Sequence, residues 1–145
     1  MYQFVEQVNV WSASLMDKPG GLSNILKCLD EAGVDLDFII ARRAPDEPGK
    51  GVVFISPLQG DREVRAASTL GFAISNSIAA VRVEGQNEPG AAARLTDLIA
   101  DAEINMRGFS GAVVGSRYIA YIGFDSPGDA KKAASIIQEA EAVVA

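Results

Sequence analysis

The sequence of 145 residues contains no histidine, one cysteine and one tryptophan. Without histidine the commonest nucleophile–base pairs are absent, which argues against an enzyme. A single cysteine excludes an intramolecular disulfide. With no histidine beside it, it also excludes a zinc site that needs Cys or His. Bases are scarce as well, 13 Lys and Arg against 19 Asp and Glu, for a net charge of −6. The acid excess is shared by both halves and no basic stripe breaks it, so neither nucleic acid nor an anionic membrane surface is expected as a partner. No apolar run reaches the roughly 18 residues of a membrane span. The opening "MYQFVEQVNVW" lacks a basic region followed by an apolar core, so no signal peptide is expected. The expectation is a cytoplasmic protein with no cofactor and no metal.

What the sequence does contain is a repeat. "DKPGGLSNILKCLDEAGVDLD" begins at Asp17, and "NEPGAAARLTDLIADAEINMR" begins at Asn87. An offset of 70 positions takes Pro19 to Pro89, Gly20 to Gly90, Ile25 to Leu95, Leu29 to Ile99, Ala32 to Ala102 and Val34 to Ile104 without a gap. The same offset takes Phe54 to Phe124 and Pro57 to Pro127. A duplication of this length predicts two domains, 1–76 and 77–145. Each is near the size at which a lone core is marginal, and 48% hydrophobic residues supply enough apolar surface for both.

Periodicity places the elements. Gln7–Leu15 alternates as a strand, with Trp11, Ala13 and Leu15 on one face. Leu22, Ile25, Leu26, Leu29 and Ala32 form one apolar helical face, with Pro19 at the first helical position and Gly33 as the stop. Cys28 lies inside that pattern, where a buried or half-buried structural thiol is the expectation. "VDLDFIIAR" and "VVFISPL" are strands around the turn "APDEPGKG". Asp61 caps a helix that Gly71 ends, and "FAISNS" is a short closing strand. The second half repeats the order. It has a strand "IAAVRVEG", a helix after Pro89 and Gly90, and a strand "INMRGFSGAVV" with glycines that bend or bulge it. Then come "RYIAYIGFD", a helix capped by Ser126 and started by Pro127, and a last strand "AVVA". Each half is therefore β-α-β-β-α-β. The expected fold class is α+β, two ferredoxin-like units with antiparallel sheets and helices on one face.

The two Pro-Gly junctions are the candidate sites. N–H groups at a helix start lack intrahelical acceptors, and the macrodipole adds partial positive charge there. A carboxylate is the natural small guest. A zwitterion also needs an acceptor for its ammonium group, and Asp17, Asn87, Asp35 and Asn105 are nearest in pattern. The plain alternative is that Pro-Gly only starts a helix after a tight turn.

Pattern and topology resemble the ACT domain, the amino-acid-sensing module of aspartate kinases, phosphoglycerate dehydrogenases and prephenate dehydratases. The residues that carry the resemblance are "DKPGGL" and "NEPGAA", the helix after each, and the strand openings "VDLD" and "INMR". "PGGL" followed by "IIARRAP" is similar to two motifs of the aromatic-sensing members. The resemblance implies a free-standing two-domain form that binds a free amino acid between paired ACT domains and regulates without catalysis. It implies ligand contacts from Asp17, Lys18, Pro19, Gly20, Gly21 and Leu22 of one domain, facing Asn105, Met106 and Arg107 of a neighbour. The second set is Asn87, Glu88, Pro89, Gly90, Ala91 and Ala92, facing Asp35, Leu36 and Asp37. A homodimer or larger assembly is expected, since the sheets leave edges to be paired. A metabolic enzyme is the expected reader of the signal.

Other readings stay open. Asp35, Asp37, Asp46 and Glu47 are the carboxylates an enzyme would use, but acids at strand edges and turns are far more often a solvated surface. An RNA-binding module shares the topology but calls for basic charge and paired strand aromatics. A regulatory or structural subunit of an amino-acid metabolic enzyme, with no ligand of its own, is the main alternative.

Overall fold

The computed structural model describes the backbone of residues 2–144 and the side chains of residues 4–140. The described residues form six strands: β1 (Tyr2–Met16), β2 (Phe38–Arg43), β3 (Lys50–Ser56), β4 (Ile78–Gln86), β5 (Met106–Val114) and β6 (Arg117–Phe124). The helices are α1 (Gly21–Glu31), α2 (Gly60–Ser68), α3 (Ala91–Asp101) and α4 (Pro127–Val144). The chain forms two compact units, one of residues 9–77 and one of residues from 78 onward together with those up to 8.

In the 9–77 unit the strand order is β2-β3-β1, antiparallel, with Trp11 opposite Ile55, Met16 opposite Lys50 and Phe38 opposite Ser56. Strand alternation puts Trp11, Ala13, Val53 and Ile55 on one face. They pack there with Ile25 and Leu29 of α1, Ala67 of α2, and Phe72. In the other unit β1, β4, β6 and β5 are neighbours in that order. Val81, Val83, Ala120, Ile122 and Phe124 pack with Leu95 and Ile99 of α3 and Ala130, Ala133 and Ile137 of α4. Side chains such as Leu95, Ile99 and Ile137 are fully buried, each stabilising by about 1.5–3 kcal/mol relative to exposure. Both sheets thus keep their helices on one face, the α+β arrangement that the repeat implies.

Several local features differ from the expectations. β1 starts at Tyr2 rather than Gln7, and residues up to 8 group with the second half instead of the 1–76 segment. Strand pairing with β4 decides this, and local periodicity carries no trace of so distant a partner. Residues of "FAISNS" form a 3-10 turn at Ile74–Asn76 instead of a strand. At "AVVA" helix α4 runs on to Val144, a short apolar run being compatible with either state; Ala145 lies outside the described residues. Asp61 is in the first turn of α2, whose N-cap is Gln59. Ser126 caps α4 as expected, its hydroxyl accepting from the Asp129 amide at 3.1 Å. Cys28 is exposed. The buried stripe of α1 is Gly21, Ile25 and Leu29, flanked by the partly buried Leu22 and Leu26, and position 28 falls on the other side of it.

Candidate functional site

Each candidate site is built on a turn that joins a strand to a helix. Gly20 has φ 86° and ψ −8°, and the Gly21 amide donates to the Lys18 carbonyl at 3.0 Å. Lys18–Gly21 is therefore a type II turn, with Pro19 in the position that fixes φ and Gly20 where φ must be positive. Glu88–Ala91 repeats it, with Gly90 at φ 81° and ψ 8° and the Ala91 amide donating to Glu88 at 3.1 Å. Pro19 and Pro89 thus lie in the turn, two residues before each helix, and not at its first position. The turn delivers the chain straight into the helix, with no side-chain cap among the described residues at either start. The Asn24 amide reaches the Gly20 carbonyl at 2.9 Å. The amides of Leu22 and Ser23, and those of Ala92 and Ala93, find no acceptor among the described residues.

The adjacent Gly21 is needed for another reason. A Cβ there would collide with the Met16 carbonyl, whereas a Cβ on Gly20 would meet nothing. α1 rests on the end of β1 at that point. In the second copy Ala91 occupies this position and is buried.

The two junctions differ in their charged neighbours. At the first, Arg43 Nε donates to the Asp17 carboxylate at 2.9 Å, and the Asp17 amide donates to Gly49 at 3.1 Å. At the second, Arg94 bends back over the turn. Its guanidinium donates to the Pro89 carbonyl at 3.0 Å and to Glu88 at 3.2 Å, and it lies 3.2 Å from where a Gly90 Cβ would be. Asn87 donates its amide to Ser116 at 2.8 Å. Arg94 was not among the residues singled out from sequence. Its position on the first turn of the helix, six residues after Glu88, is the signal that could have marked it.

The other candidates lie elsewhere in each unit. β1 ends beside the start of β3, Met16 facing Lys50, while Phe38 at the start of β2 faces Ser56 at the end of β3. Asp17–Leu22 and Asp35–Asp37 are therefore at opposite ends of one sheet. In the other unit Gln86 faces Arg117 and Met106 faces Phe124, so Asn87–Ala92 and Asn105–Arg107 are separated in the same way. Neither unit alone brings its helix start to its own strand opening. Asp35, Asp37, Asn105 and Arg107 are exposed. Leu22 and Leu36 pack against one core cluster and Met106 against the other, so hydrophobic packing fixes these three. Among the described residues no cluster of three or more His, Cys, Asp or Glu is placed to hold a metal, and no helix is long and apolar enough to cross a membrane.

No protein-family model and no curated protein sequence matches the chain. Solved structures do. Protein BT0572 from Bacteroides thetaiotaomicron superposes with a TM-score of 0.76 at 16% identity, over 94% of this chain and 90% of that one. The regulatory subunit of aspartate kinase from Thermus thermophilus, in its ligand-free form, gives 0.64 at 16% identity, over 96% of both chains. Aspartokinase alpha and beta subunits give 0.61 at 18% identity, over 97% and 98%. At these identities the likeness is one of architecture: the chain has the α+β fold of the regulatory subunits of aspartate kinase.

Proposed function

We propose that the protein is a regulatory amino-acid sensor, acting in the cytoplasm as a homodimer or larger assembly of ACT-like units and controlling a metabolic enzyme. The observation that carries the reading is the duplicated type II turn. Twice the chain leaves a glycine at positive φ, and the second and third amides of the helix that follows have no acceptor among the described residues. Those amides and the helix macrodipole suit a ligand carboxylate, and Asp17 suits its ammonium group. Contacts from both a helix start and a strand opening require two units to meet, as in the pairing that the resemblance implies. The fold shared with regulatory subunits of aspartate kinase supports a role without chemistry.

A second reading, a regulatory subunit with no ligand of its own, is favoured by the Arg43–Asp17 ion pair, which already satisfies the proposed ammonium acceptor. A thermal-shift panel of the twenty amino acids separates the two. A ligand at 100 times its dissociation constant adds about 2.7 kcal/mol to the folded state, so one chemical class of amino acid should raise the melting temperature. No shift with any of them up to about 10 mM would select the second reading.

A further inference from the structure

The sheet of the 9–77 unit has one face that its helices leave open. Trp11, Ala13, Val53 and Ile55 pack toward α1 and α2, so strand alternation turns Met16, Lys50, Val52 and Phe54 the other way. Register puts Ile40 opposite Phe54, Arg42 opposite Val52 and Lys50 opposite Met16. The middle of this face is apolar. Met16 and Ile40 are 50% and 36% exposed, and Val52 and Phe54 are half-buried. Two exposed cations border it. The Arg42 guanidinium lies over the Phe54 ring, 6.0 Å from its centre, and neither Arg42 nor Lys50 has an ion pair among the described residues. No acid stands among residues 12–16, 40–42 or 50–54, although the chain has 19. Asp30, Glu31 and Asp61 are on the helices of the opposite side. Linear order hides this segregation of charge, because strand register assembles the patch from three separate segments.

We propose that this face docks an acidic amphipathic helix of a protein partner. The apolar side of the helix lies on Met16, Ile40 and Phe54, and its Asp and Glu residues meet Arg42 and Lys50. A sheet face with exposed apolar side chains is buried by a further layer of secondary structure, and helices already form that layer on the other face. Charge selects the kind of helix. Unpaired cations beside an apolar patch attract carboxylates and repel a basic helix. Arg42, stacked on Phe54, offers its fork of donors to a carboxylate without first breaking an ion pair. Two cations on a chain of net charge −6 are too few to hold an anionic membrane or an RNA strand, whose attraction grows with the number of bases engaged. The partner is the controlled enzyme of the proposed function, so the docking face rests on that regulatory reading and adds the chemistry by which the two proteins meet.

The test uses the full chain and contains no amino acid, so its failure and a thermal-shift panel without a hit are separate results. The probe is a fluorescent helical peptide of about 18 residues, with Leu at i, i+3, i+4 and i+7 spacing and Glu along both borders of that stripe. A twin peptide carries Lys for every Glu. By anisotropy the Glu peptide should bind the native chain, less tightly as salt rises, and the Lys peptide should not. Arg42→Glu with Lys50→Glu should weaken the Glu peptide about tenfold or more and admit the Lys peptide. Ile40→Ser, which keeps both charges, should weaken the Glu peptide about three- to tenfold. Melting curves show that each variant is folded, and Arg42→Gln with Lys50→Gln replaces the charge reversal if that variant is not. A Glu peptide that fails to bind at about 1 mM native protein, or binds all variants alike, would overturn the docking face. A U-rich RNA oligomer or a phosphatidylserine vesicle that binds the native chain and is released by the charge reversal would overturn the acidic helix as its occupant.

Discussion

Arg43, the last residue of β2, reaches the Asp17 carboxylate from its Nε at 2.9 Å and so ties a sheet-edge strand to the turn that starts α1. The arginine side chain is 85% exposed and the aspartate 35%. Pairs of this exposure contribute about 0.2–1 kcal/mol and weaken with salt. Arg43→Ala should therefore lower stability by less than about 1 kcal/mol in a denaturant titration. Asp17→Ala should weaken amino-acid binding by about 1–3 kcal/mol if its carboxylate receives the ammonium group. Calorimetric titration of Asp17→Ala with unchanged affinity would remove Asp17 from the site.

The neighbouring glycines of the first junction should respond to alanine in different ways. At Gly20 the added methyl meets nothing, and only the positive φ resists it, at a cost of about 1–2 kcal/mol. At Gly21 the methyl runs into the Met16 carbonyl, so α1 must move off β1. Gly21→Ala should be the more destabilising of the two by chemical denaturation, and the ordering reversed would mean that the helix start is not seated as described. Ligand affinity of the folded Gly20→Ala protein then isolates the role of the turn in binding.

The repeat made much of this legible. α1 and α3 start at residues 21 and 91, the spacing that Pro19 and Pro89 show in the sequence, because a type II turn needs only its own four residues. The ion pairs around the turns were not legible. Arg43 reaches Asp17 through strand pairing, and Arg94 reaches Pro89 through its own rotamer, and neither leaves a mark on hydrophobic period. The early start of β1 and the 3-10 turn at Ile74–Asn76 escaped for the same reason. Whether an alternating segment becomes a strand is decided by the neighbour it finds.

Cys28 offers a direct check on the face of α1 that packs inward. It is exposed, while Ile25 and Leu29 are buried. A maleimide should label the native protein at one site per chain without denaturant, and denaturant should accelerate the reaction little. Labelling that requires unfolding would show that the helix is rotated.

Tyr118 should make stability fall at high pH. Burial raises its pKa above the ordinary 10.0, because the phenolate is the form that loses hydration. The folded protein therefore holds this proton over a pH range in which the unfolded chain has released it. Where the unfolded state binds fewer protons, stability decreases as pH rises. The contribution of Tyr118 is fully present below pH 10 and declines above it, towards the higher pKa of the folded state. Tyr118→Phe removes the titration, so the mutant should lose less stability than the native protein between neutral pH and pH above 10. It also removes a buried hydroxyl that has no partner among the described residues, so the mutant should be no less stable at neutral pH if the phenol is unsatisfied in the monomer. Urea titrations of both proteins across that range, below the concentration at which they associate, give the comparison. Parallel pH dependences would show that the Tyr118 phenol titrates alike in the folded and unfolded chain.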